Sequence, residues 1–131
     1  MRYAVGFVVT MLVFLGMDFT FLITANPLYK QEIGPLLAPS LNIVASVLFY
    51  LAYLFGIMLF VVAPGLKQGR WQHVLMMGAA FGLVAYATYD LTNLATLKGF
   101  SEKITVIDLI WGMVVTGTAS TAGYLAAKRF A

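Results

Sequence analysis

Four apolar runs, each long enough to cross a lipid bilayer, constrain this chain more than any other feature. A helical span takes about 20 mostly apolar residues. Residues 4–25, 41–63, 72–96 and 104–127 meet that requirement. Backbone N–H and C=O groups find no water in lipid, so such spans must be helical. The chain has 131 residues, 62% hydrophobic and only 10% charged. A soluble domain of that composition would keep apolar surface it could not bury. The expectation is an all-α integral membrane four-helix bundle, forming a single domain over residues 1–131.

The boundaries follow from local chemistry. Asn26-Pro27 is expected to end the first span, because proline disfavours helix in the residue before it. Pro39 precedes the second span and Pro64-Gly65 should stop it, while Lys98-Gly99 ends the third. Trp71 and His73 stand where an interfacial belt would place them. Lys128 and Arg129 close the fourth span. The start resembles a signal peptide in having Arg2 before an apolar run. That run is longer than an ordinary h-region and carries Asp18, so it reads as a retained helix. Residues 26–40 mix Leu28, Tyr29, Ile33, Leu36 and Leu37 with Lys30, Gln31 and Glu32. Gly34-Pro35 and Pro39 should break any long helix there, leaving an interfacial segment folded over the bundle.

Charge sets the expected orientation. Arg2, Lys67, Arg70, Lys128 and Arg129 fall on one side with no acid. Lys30, Lys98 and Lys103 fall on the other, diluted by Glu32 and Glu102. Basic residues favour the cytoplasmic side, which puts both termini in the cytoplasm of a bacterial inner membrane. The basic residues form no clustered stripe, so no nucleic-acid partner is expected. The absence of cysteine excludes disulfides and thiolate metal sites, and a single histidine argues against a histidine-rich one. No metal, cofactor or catalytic residue is nominated.

Two stretches repeat a pattern inside the apolar runs. Asp18-Phe19-Thr20-Phe21-Leu22-Ile23-Thr24 and Asp90-Leu91-Thr92-Asn93-Leu94-Ala95-Thr96 both read D-x-T-x-L-x-T. Gly6 and Gly78 each stand twelve residues before the aspartate. Leu54-Phe55-Gly56-Ile57-Met58 likewise matches Ile110-Trp111-Gly112-Met113-Val114. The chain therefore reads as two tandem helical hairpins related by a pseudo-twofold axis along the membrane normal.

Asp18, Asp90 and Asp108 are the acids clearly within the spans. They lie about seven, six and four residues inside the same side of the membrane, roughly 10 Å or less at helical rise. Charge in lipid is expensive and marks functional sites, so the three point to one shared cavity. Tyr86, Asp90 and Asn93 share a helix face, flanked by Tyr89 and Thr92, and Asp108 shares one with Trp111 and Gly112. These eight side chains (Asp18, Asp90, Asp108, Asn93, Tyr86, Tyr89, Thr92 and Trp111) form the candidate ligand-binding set. Each acid has a structural alternative. Asp108 completes Thr105-Val106-Ile107-Asp108, a capping pattern at a helix start. Asp90 could serve as interhelical hydrogen-bond glue. Asp18 could be held by Lys98 or by water. Gly78 and Gly82 form a GxxxG, and span four is rich in Gly, Ala, Ser and Thr, both read as helix–helix contact surfaces.

The blocks Tyr89-Asp90-Leu91-Thr92-Asn93-Leu94-Ala95-Thr96-Leu97-Lys98, Asp108-Leu109-Ile110-Trp111-Gly112 and Tyr53-Leu54-Phe55-Gly56 resemble a family of small bacterial inner-membrane proteins, domain-of-unknown-function family 2177. The resemblance runs over nearly the whole chain. It implies a four-helix membrane protein with Tyr89, Asp90, Asn93, Asp108 and Trp111 as signature positions. It implies no catalytic residue, substrate or cofactor.

Three roles fit these residues. Paired carboxylates with aromatic walls suit binding or transport of a small cation, a proton or an amine-bearing molecule. Four helices make a thin pathway, so transport would call for a homodimer. Small-residue surfaces and small size suit an accessory subunit of a larger membrane complex. Two carboxylates could also divide acid and base work on a lipid substrate. The lack of a G-x-S-x-G elbow or a metal cluster weighs against that enzyme. Binding or transport is the reading taken forward.

Overall fold

The computed structural model describes residues 1–37 and 42–130. Its elements are α1 (Arg2–Ile33), a short 3-10 turn (Gly34–Leu36), α2 (Ile43–Ile57), a π-helical turn (Met58–Val62), α3 (Ala63–Gln68), α4 (Trp71–Thr96) and α5 (Glu102–Lys128). Four helical stretches are long and apolar enough to cross a membrane, the second of them running from Ile43 through the π-turn and α3 to Gln68. The chain is an all-helical membrane bundle. Large apolar side chains face outward along every span, among them Ile23, Val44, Phe55, Met76, Val84 and Val106. In water that surface would be a liability, whereas in lipid it is the solvated face.

The helices form a ring in the order α1, α2, α4, α5, with the second span meeting α4 through its π-turn. The spacing around the ring is unequal, for a reason visible in the side chains. Between α4 and α5 the contact is backbone to backbone. A Cβ on Gly78 would lie 3.0 Å from Gly117 Cα, and one on Gly82 would lie 2.8 Å from the Gly112 carbonyl carbon. The α1–α5 contact is nearly as close, with Gly123 against Gly6 and Thr10. The GxxxG of span three and the small residues of span four thus meet each other. In lipid, where helices gain little from burying apolar surface, such close approach supplies the dispersion contacts that hold them. The α2 helix is held off by rings instead. Phe14 on α1 meets Tyr50 and Tyr53 edge-on at 6.1 and 5.3 Å, and Tyr53 stacks on Phe81 of α4 at 5.4 Å. The Tyr53 hydroxyl crosses the centre of the bundle to hydrogen-bond Thr116 of α5.

Three expected boundaries are corrected. Proline does not end the first span: Pro27 lies inside α1, which continues to Ile33. At 32 residues α1 is about 48 Å long, well beyond the roughly 30 Å of hydrocarbon. Its extension is held by tertiary packing, since Ile33, Leu28 and Tyr29 pack with Phe100, Ile104 and Leu94 at the α4–α5 turn. The segment read as a separate interfacial piece is therefore mainly a continuation of α1. Pro39 lies outside the described residues. Similarly, Pro64-Gly65 does not stop the second span, because the helix runs on to Gln68 and ends at Gly69 with φ +74°. The preceding π-turn widens the helix where the Pro64 ring would meet the carbonyl four residues back.

The third correction concerns Asp108. Ser101, not Thr105, caps α5: its side chain accepts from the Ile104 N–H at 3.1 Å, and the helix starts at Glu102. Thr105 instead donates to the Ser101 carbonyl. Asp108 therefore lies two turns into the helix and is released from any capping task. The Ser101 hydroxyl also donates to Glu32 at 2.6 Å, tying the α1 extension to the α4–α5 turn. Ser101→Ala should lose about 1 kcal/mol of stability as a lost cap. Denaturant titration in detergent would show it, and an unchanged midpoint would remove Ser101 as the link.

Candidate functional site

The end of the bundle that carries the α1–α2 and α4–α5 connections holds a cavity of about 310 Å³. It is lined by Asp18 and Leu22 of α1, Phe49 and Tyr50 of α2, Ala85, Tyr86 and Tyr89 of α4, and Asp108 of α5. Four helices thus contribute, and each contribution has a local cause. Asp18 sits four residues after Phe14, which is fully buried, so the same helix face turns the carboxyl inward. Tyr50 lies three residues before Tyr53 and one turn closer to the α1–α2 connection. Tyr86 lies against Gly112, where a Cβ would fall 2.9 Å from the Tyr86 Cβ, so glycine there makes room for the ring.

The carboxyls have distinct partners. Asp18 accepts from the Tyr50 hydroxyl at 2.6 Å and from the Trp111 indole N–H at 3.3 Å. Asp108 accepts from the Tyr29 hydroxyl at 2.8 Å, a bond made possible by the unbroken run of α1 past Pro27. Hydrogen bonds from neutral donors to a carboxylate are among the stronger ones, and they leave its charge in place. Lys98 and Lys103 are exposed. The partners of Asp18 are thus a phenol and an indole, not the Lys98 that sequence reading considered. Trp111 is fixed on its other side by Phe21, stacked at 4.4 Å with the planes 7° apart.

The eight sequence-nominated residues divide clearly. Asp18, Asp108, Tyr86 and Tyr89 line the cavity together. Trp111 stands behind it, positioning Asp18 and facing a shallower groove along α1. Asp90 is fully buried at the α4–α5 contact, one turn beyond Tyr86, and neither of its carboxyl oxygens has a donor among the described residues. Asn93 is half-buried beside Tyr89. Thr92 is exposed and does not join the cavity. Its motif partners behave alike: Thr20 donates to the Gly16 carbonyl and Thr96 to that of Thr92, each satisfied within its own helix. A hydroxyl facing lipid must find an acceptor, and the carbonyl four residues back is the nearest. The repeated pattern therefore marks two inward acids whose threonines turn away from the site.

Sequence reasoning missed Tyr50, Phe49 and Tyr29. The available signal was modest: Phe49, Tyr50 and Tyr53 crowd one region of the second span, and a tyrosine in lipid needs a partner for its hydroxyl. Tyr29 was hidden behind the expected break at Pro27. No group of three or more His, Cys, Asp or Glu residues suited to a metal ion occurs among the described residues.

A family model described as a predicted membrane protein (DUF2177) matches residues 3–125. The chain belongs to this family. All the cavity-lining residues, and the signature positions Tyr89, Asp90, Asn93, Asp108 and Trp111, lie within the matched residues of this DUF2177 chain. No curated protein and no solved structure matches it.

Proposed function

We propose that the cavity binds a small organic cation, one bearing an amine or quaternary ammonium group. A single arrangement carries this reading: Asp18 and Asp108 face one aromatic-walled space and take their hydrogen bonds from uncharged donors. Negative charge left uncompensated in a low-dielectric bundle attracts a cation strongly. Tyr86, Tyr89 and Phe49 supply ring faces at which a cation is also favoured. In this reading the protein sits in a bacterial inner membrane with both termini in the cytoplasm, and the cavity opens on the opposite side. Transport across the bilayer would need a second opening, which a homodimer could provide. The glycine surfaces of α4 and α5 are already spent within the bundle, so they do not recommend the accessory-subunit role.

Benzyltrimethylammonium is a suitable probe, with neopentylbenzene as its uncharged counterpart. The purified protein in detergent should melt higher in the presence of the cation and be indifferent to the hydrocarbon. Asp18→Asn and Asp108→Asn should each weaken the cation at least about tenfold, the scale of a lost charged contact. Equal stabilisation by both probes would reduce the cavity to an apolar hole and end the proposal.

A further inference from the structure

The cavity leaves one acid without a task. Both Asp90 oxygens are buried, and no hydroxyl or N–H among the described residues donates to either. An unpartnered carboxyl inside a membrane bundle is costly, so its surroundings decide what it does. Asp90 stands one turn beyond Tyr86 on α4 and Asp108 one turn before Gly112 on α5; because Tyr86 rests against Gly112, the two carboxyls fall opposite each other across the α4–α5 contact. Two bare carboxylates only accept, and they repel each other. Their contact becomes a hydrogen bond when one proton lies between them. The other groups nearby offer no compensating charge. Tyr29 of α1 donates to Asp108 rather than to Asp90. Tyr89 and Asn93 stand on α4 itself, and Asp18 of α1, Tyr50 of α2 and Tyr86 of α4 lie across the cavity. Lys98 and Lys103 point to solvent, and Glu32 is engaged by Ser101.

We propose that Asp90 and Asp108 together form a one-proton site, and that its proton leaves when a cation enters the cavity beside Asp108. The step balances without a further reactant. The O–H bond of the pair breaks, its electron pair stays on the carboxylate, and the proton passes through the cavity to water. One positive charge replaces another, so the buried charge of the site is unchanged. This coupling rests on the cation reading above, whereas the proton site itself does not. The arrangement also gives Asp90 a purpose that hydrogen-bond glue does not: it tunes Asp108, the member of the pair that reaches the ligand. Binding linked to loss of one proton strengthens with rising pH by up to about tenfold per pH unit.

Two measurements test the two halves separately. Infrared spectroscopy of protein carrying carboxyl-labelled aspartate should show the C=O stretch of a protonated carboxyl at neutral pH. The band should disappear in Asp90→Asn and shift in frequency in Asp108→Asn, where Asp90 stays buried but loses its carboxylate partner. Its absence from the wild type, or an unchanged band in either variant, overturns the proton site. Calorimetry with benzyltrimethylammonium in two buffers of different ionisation heat counts protons. The wild type should release about one per cation bound, and Asp90→Asn should bind the cation and release none. Undiminished release from Asp90→Asn, or binding to the wild type without release, overturns the coupling. Failure of the wild type to bind the probe at all would defeat the cation reading and the coupling with it. The infrared band would still decide the proton site.

Discussion

Gly82→Ala should destabilise the bundle by about 3 kcal/mol, at the upper end of the cost of overpacking. The added methyl would lie 2.8 Å from the Gly112 carbonyl carbon and 2.7 Å from Thr116 Oγ1. The first of these obstacles is backbone, which cannot swing aside, so α4 and α5 must part. Parting them also disturbs the Tyr86 ring, which rests on Gly112, and the bond from Tyr53 to Thr116. Gly16→Ala provides the control within the same protein. Nothing lies within 4 Å of a Cβ there, so the change should be neutral or stabilise α1 by up to about 1 kcal/mol through helix propensity. Unfolding by sodium dodecyl sulfate in mixed micelles, followed by fluorescence, measures both. Equal midpoints for the two variants would show that the α4–α5 contact is looser than described.

Phe14→Ala should cost a similar amount, about 3 kcal/mol, and should also weaken the cavity. Phe14 is fully buried, and its ring meets Tyr50 and Tyr53. Truncating a buried phenylalanine typically costs about 3–5 kcal/mol in lost contacts and cavity formation. The lower end applies here, because lipid offers apolar groups nearly the same environment as the bundle interior. The functional consequence follows from position. Tyr50 is the shorter of the two donors to Asp18, and Phe14 supports its ring from below. Without that support the tyrosine gains freedom and the carboxylate loses its fixed geometry, so binding of benzyltrimethylammonium should weaken along with stability. Phe14→Leu, which refills much of the volume, should restore most of the stability. If Phe14→Ala lowered the unfolding midpoint but left probe affinity unchanged, Phe14 would be a packing residue with no part in shaping the site.

Much of this architecture could be read from order and composition. The apolar runs required helices because lipid leaves the backbone no other partner. The GxxxG of span three announced a close contact, and its glycines do meet Gly112 and Gly117. The aspartates at matching places proved to be inward-facing on α1 and α4 alike. Local rules failed where long-range packing overrode them. Proline was expected to end helices at Asn26 and Ala63, yet the contacts of Ile33, Leu28 and Tyr29 carry α1 past the first, and a π-turn carries the helix past the second. Thr105 and Asp108 matched a capping pattern by spacing alone, while Ser101 took the role.

The candidate site was half legible. Asp18, Asp108, Tyr86 and Tyr89 could be nominated because charge and phenols are rare and costly in spans. Which of the three acids meet one another was beyond sequence, since that depends on the register between helices. The chain by itself determined that there would be four helices, two inward acids at repeated positions and small-residue surfaces for close contact. Each of those follows from one residue and its neighbours within a few turns. Only the tertiary structure decided that Asp90 falls opposite Asp108 across the α4–α5 contact while Asp18 is bound by Tyr50 and Trp111. Those pairings join residues far apart in the chain. They are set by how closely glycine lets α4 and α5 approach and how far the rings of Phe14, Tyr50 and Tyr53 hold α2 away.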